Sequence, residues 1–116
     1  MHVQISTDSN IEGGEDLTRT VTATVEDTLG RFGDWLTRVE VHLSDENGKK
    51  SRGDYKRCLM EARPAGHQPI VVSHLAATVE QAIDGAADRL ARLLDDTAGR
   101  LGTPKGRTSF GGDQTN

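Results

Sequence analysis

TVEQAIDGAADRLARLLDDTAGRL, residues 78–101, is the stretch that decides the architecture. Val79, Ala82, Ile83, Ala86, Leu90, Leu93 and Leu94 recur at steps of three and four, which places them on one stripe of an α-helix. Thr78 with Gln81 three residues on fits a capping box, the hydroxyl accepting from an orphan N–H and the amide reaching back. Pro104, just past Gly102, marks the stop. The other side carries Glu80, Asp84, Asp88, Arg89, Arg92, Asp95 and Asp96. Such a helix must lie on an apolar surface and turn a charged back to water.

The residues before it read as that surface. His2–Ser6 alternates, with Val3 and Ile5 on one side, as a half-buried strand does. Gly, Asn and Asp make residues 7–16 a loop whose acids favour a helix start. From Asp16 to about Arg31, Leu17, Val21, Val25 and Leu29 stand four apart and predict a second amphipathic helix, ended by Gly30 and Gly33. Its β-branched Thr18, Thr20, Thr22 and Thr24 lower the intrinsic propensity.

Leu36–Ser44 alternates Val39, Val41 and Leu43 against Arg38, Glu40 and His42. Asn47-Gly48 supplies the positive φ of a tight turn, and the basic residues after it lengthen the hairpin loop. Tyr55–Arg63 sets Cys58, Met60 and Ala62 against Arg57, Leu59 and Glu61, and Gln68–Leu75 is a fourth strand whose Ile70, Val71 and Val72 define no inner side.

The order β-α-β-β-β-α predicts a two-layer α+β sandwich, a four-stranded sheet with both helices on one face. A β-α-β start needs a right-handed crossover, so strands one and two are expected parallel; hairpins make the rest antiparallel. His2, Gln4, Arg38, Glu40, His42, Arg57 and Glu61 are left on the open face. Residues 1–102 read as one domain and 103–116 as a flexible polar tail.

At 116 residues with 34% hydrophobic and 3% aromatic side chains, the core is aliphatic and small. The lone Cys58 sits in an apolar alternation and reads as a buried small hydrophobe. Neither a signal-peptide pattern nor a membrane-length apolar run is present, so a cytoplasmic location is expected. The four histidines show no metal-ligand spacing, and no nucleophile motif or phosphate loop appears. The expectation is a non-enzyme without cofactors.

Net charge is −4, which argues against a general nucleic-acid binder, but residues 49–63 carry six basic and two acidic side chains. The basic stretch Lys49, Lys50, Arg52, Lys56, Arg57 and Arg63 would form a phosphate-binding edge, with arginine able to grip phosphate bidentately. The competing reading is an ordinary solvated loop. With only Tyr55 nearby, base stacking is disfavoured against reading the shape and backbone of structured RNA.

Ala82-Ile83-Asp84 followed by Asp88-Arg89-Leu90-Ala91-Arg92, after a strand IVVS, resembles the A-I-D-x-x-x-D-K/R-L-x-R run of the ribosome hibernation-promoting factor family, also called the ribosome-associated inhibitor A or σ54-modulation family. Val25–Trp35 is similar to the end of that family's first helix. The resemblance covers about residues 2–101 and the short form of the family. It implies a non-enzymatic protein that binds the small ribosomal subunit through its rRNA and modulates translation in hibernation or stress. Arg89 and Arg92 match basic positions of the family's helix; beyond them Leu93, Leu94, Asp95 and Asp96 replace its basic end. The alternative is a divergent member that serves as a protein-interaction module.

Overall fold

A computed structural model describes residues 1–8, 11, 13–45 and 55–101. The elements are β1 (His2–Thr7), α1 (Glu15–Leu29), a 3-10 turn (Gly30–Phe32), β2 (Leu36–Asp45), β3 (Lys56–Pro64), β4 (Ile70–Ala76) and α2 (Val79–Leu101). The sheet order is β1-β2-β3-β4: β1 runs parallel to β2, and the other pairs are antiparallel. This is the expected α+β sandwich. The expected tail, 103–116, lies outside the described residues.

Register sorts the side chains into two faces. One row across the sheet is Ile5, Val41, Met60 and Val72; another is Val3, Val39, Ala62 and Ile70. Both rows face the helices, and Val39, Val41, Met60 and Ala62 are fully buried. The β4 run, undecided by its own pattern, takes its inner face from β3: Val72 is buried and Val71 is exposed.

Thr78 caps α2, accepting from the Gln81 N–H at 3.1 Å. Ala82, Ile83, Ala86, Leu90 and Leu94 are buried as the periodicity requires, and the seven charged outer positions are all exposed. Leu93 departs from expectation. It stands at the margin of the stripe and is 41% exposed, while Ala87, Ala91 and Thr97 are buried instead. In α1 burial overrides threonine's weak propensity: Val21, Val25 and Leu29 lose all their exposure. Arg31, in the 3-10 turn, bonds the Asp95 carboxylate at 2.6 Å and ties the end of α1 to that side of α2.

Gly85 sits where α2 crosses β4. A Cβ there would lie 2.2 Å from the His74 ring, far inside van der Waals contact. Gly85→Ala is therefore expected to destabilise by ~1–3 kcal/mol through overpacking, despite the gain in helix propensity. In a His74→Ala background the same change should stabilise, by up to ~1 kcal/mol. Denaturant midpoints of the four proteins check that reversal of sign; a Gly85→Ala cost that ignores residue 74 would refute the contact.

Cys58 is fully buried in β3, as expected, and burial pushes its thiol up from 9.0 to about 12. Between those values the unfolded chain loses the proton and the folded chain keeps it. Stability should thus fall as pH rises above about 9, by at most ~1.4 kcal/mol per unit from this group. Comparing wild type with Cys58→Ala across pH 8–11 isolates the term: the variant's slope should be shallower.

Candidate nucleic-acid interface

Two groups of basic residues are set in different parts of the fold. The first is the base of the β2–β3 hairpin. Lys56 lies opposite Asp45 in the register, and its Nζ stands 3.7 Å from the Asp45 carboxylate. The Asp45 backbone N–H in turn donates to Asp8 Oδ2 at 3.1 Å, so the chain after β1 braces this end of the sheet. Arg57 projects onto the open face and donates to Ser73 Oγ at 3.4 Å. Both cations are half-buried and held by neighbours on rigid strands. Lys49, Lys50 and Arg52, within the hairpin segment 46–54, lie outside the described residues.

The second group is on α2. Arg89 and Arg92 are exposed and, among the described residues, make no ion pair. The base of the hairpin adjoins the N-terminal end of α2, since Lys56 pairs with Ala76 just before the helix. At 1.5 Å per residue, Arg89 and Arg92 lie about 15 and 20 Å further along the helix axis, in the other layer. Of the described candidates, Lys56 and Arg57 therefore lie apart from Arg89 and Arg92.

Between the groups the open face is electrically balanced. Glu40 is its hub: Arg38 Nε lies 3.0 Å from Oε2, Arg63 Nη2 3.8 Å from the same oxygen, and His42 Nε2 3.6 Å from Oε1. Arg63 also reaches Glu61 at 3.4 Å, and Arg38 bonds Gln4. The Arg38 Nε has no hydrogen-bond partner, so its contact with Glu40 is a charge pair without a bond's alignment. Away from Arg57, which stands at the hairpin end of this face, two arginines answered by two glutamates leave little field to attract phosphate. The sequence pattern placed Gln4, Arg38, Glu40, His42 and Glu61 on one face, left Arg63 out, and could not show that these charges neutralise each other.

Ser6 Oγ stands 2.6 Å from His42 Nδ1, and His42 in turn faces Glu40. These are the residue types of a hydrolytic triad. Hydrolysis, however, needs N–H donors converging on an oxyanion inside a pocket. A sheet face presents side chains, with its N–H groups lying in the plane of the sheet. Here Ser6 and His42 share a surface hydrogen bond, and Glu40 stands beside the ring at 3.6 Å without bonding it. Among the described residues no group of three His, Cys, Asp or Glu side chains converges as a metal site requires, and no helix is long and apolar enough to cross a membrane.

The helix layer has the opposite character to a phosphate surface. Glu15, Asp16, Glu26, Asp27, Glu80, Asp84, Asp88, Asp95 and Asp96 are exposed on α1 and α2, against Arg19, Arg89, Arg92 and Arg100. Arg19 is itself paired with Glu15 and Asp16.

Comparison with known proteins fits this architecture. Residues 3–101 match the family described as sigma 54 modulation protein / S30EA ribosomal protein. The fold is shared with the N-terminal domain of Protein Y from Thermus thermophilus, at a TM-score of 0.68 and 23% identity, covering 84% of this chain and 99% of that one. It is also shared with a ribosomal subunit interface protein from Coxiella burnetii, at a TM-score of 0.66 and 14% identity, covering 85% of this chain and 99% of that one. No curated protein matches the sequence.

Proposed function

This chain belongs to the sigma 54 modulation protein / S30EA ribosomal protein family, and from that membership we propose that it binds the small ribosomal subunit through rRNA phosphates and modulates translation without catalysing a reaction. The observation that carries this reading is the family match across 3–101, which spans every element of the sandwich. The Coxiella burnetii protein that shares the fold is a ribosomal subunit interface protein by its name, which supports the reading.

On charge, the end of the molecule suited to phosphate is the hairpin. Lys49, Lys50 and Arg52 cluster within four positions, and Lys56 and Arg57 hold the strand at its base. The helix layer, with its surplus of carboxylates, would be repelled by RNA and faces away from it. Arg89 and Arg92 then lie off the RNA surface or at its margin. The protein works in the cytoplasm, where ribosomes are, and needs no cofactor.

Cosedimentation with ribosomes tests the reading. Each phosphate contact releases counterions, so log affinity should fall against log salt with a slope of about 0.9 per contact or somewhat less. A hairpin of a few cations predicts a slope of only about 3–5. An empty ribosomal fraction at low salt would refute ribosome binding and favour the protein-interaction alternative.

A further inference from the structure

The sheet has a second unpartnered feature, its β4 edge. Among the described residues β4 pairs with β3 alone, so every second residue turns its N–H and C=O outward. Edge strands usually carry lysine, proline, an inward charge or a bulge that discourages a further strand. Ile70–Ala76, IVVSHLA, has no proline and no acidic, lysine or arginine side chain, and its register with β3 is unbroken. On the open face it exposes Val71 at 52% and Leu75 at 48%.

One flank of α2 overhangs this edge. Gly85 faces His74 of β4, which fixes that side of the helix. Arg89 and Arg92 follow Gly85 by four and seven residues and share its side; Leu93 and Arg100 continue it. Asp95, bonded to Arg31, marks the opposite side, where α1 lies. Arg89, Arg92 and Arg100 make no ion pair among the described residues, and Asp88 and Asp96 are the carboxylates beside them.

We propose that the β4 edge and the α2 flank above it form a strand-addition site for an extended acidic peptide whose side chains alternate between carboxylate and aliphatic. A strand added to β4 would send alternate side chains to the two faces of the sheet. On the helix side they meet the unpaired arginines, which calls for carboxylates. On the open side they lie beside Val71 and Leu75, which calls for aliphatics. A second copy of this chain is the poorer occupant: pairing β4 with its own copy brings two arginine flanks together. The inference uses no ribosome and does not depend on the RNA reading.

The test is fluorescence anisotropy of the full chain with a labelled, end-capped seven-residue peptide of alternating Glu and Val. Saturable binding is expected, weakened at least ~10-fold by Arg89→Glu with Arg92→Glu, since both positions are exposed and leave the fold alone. A peptide N-methylated at every residue should not bind, because neither of its edges can then join the ladder, and a Lys/Val peptide should not bind either. NMR shifts on titration should fall on residues 70–76. No binding, binding that survives the arginine reversal or N-methylation, or displacement of the peptide by an RNA oligonucleotide that shifts Arg89 and Arg92 would each overturn the proposal. So would sedimentation showing the edge occupied by a second copy.

Discussion

Reversing Lys49 and Arg52 together to glutamate is expected to weaken ribosome binding on the order of 100-fold, or about 2.8 kcal/mol. The protein has little positive charge to spare. Net charge is −4, the open face balances Arg38 and Arg63 with Glu40 and Glu61, and the helix layer carries an excess of acids. Two hairpin cations are thus a large share of any phosphate contacts, and their reversal replaces attraction by repulsion. The same reversal at Lys105 and Arg107 should change affinity less than about threefold, because it alters the total charge equally but acts beyond the hairpin. Sedimentation of wild type and both double variants at two salt concentrations separates a local effect from a global one. Equal losses in the two variants would show that only net charge matters.

Leu90→Ala should lower stability by ~2–5 kcal/mol, a large part of what a domain of this size possesses. Leu90 is fully buried at the middle of the α2 stripe, among Ala86, Ala87 and Leu94, which are equally buried and, two of them being alanines, offer little bulk to fill the void. Arg92→Ala, two positions on but exposed, should cost under ~0.5 kcal/mol. Chemical denaturation of both variants measures the difference directly, and coincident midpoints would contradict the packing of α2.

Much of this fold was legible because its elements are long and periodic. The α2 stripe, the alternation of β2 and β3 and the parallel start all follow from spacing, and Thr78 marks the helix start to the residue. What escaped lies at margins. Leu93 belongs to the stripe by spacing, yet β4 is the last strand, so among the described residues no strand covers the flank on which it stands. Ile11 and Phe32 are buried from a loop and a 3-10 turn, where no period exists to betray them. The candidate site was legible only as a run of charge over residues 49–63. Its partition was not: Lys56 with Asp45 and Arg63 with Glu40 are pairs made by register between distant positions.

The parallel pairing of β1 carries a kinetic consequence. His2 meets Arg38 and Ser6 meets His42, partners 36 positions apart, whereas β2, β3 and β4 close by successive hairpins. Closing the longer loop costs more entropy, and β1 returns little for it, since Val3 and Ile5 are only half-buried. The three-stranded meander with α2 should thus assemble first, with β1 docking last. On a translating ribosome β1 emerges before the strand it needs and stays unpaired until β2 follows. In the finished protein the same seam is the first to open: β1 amides should exchange with solvent through a partial unzipping, while those of β3 wait for global unfolding.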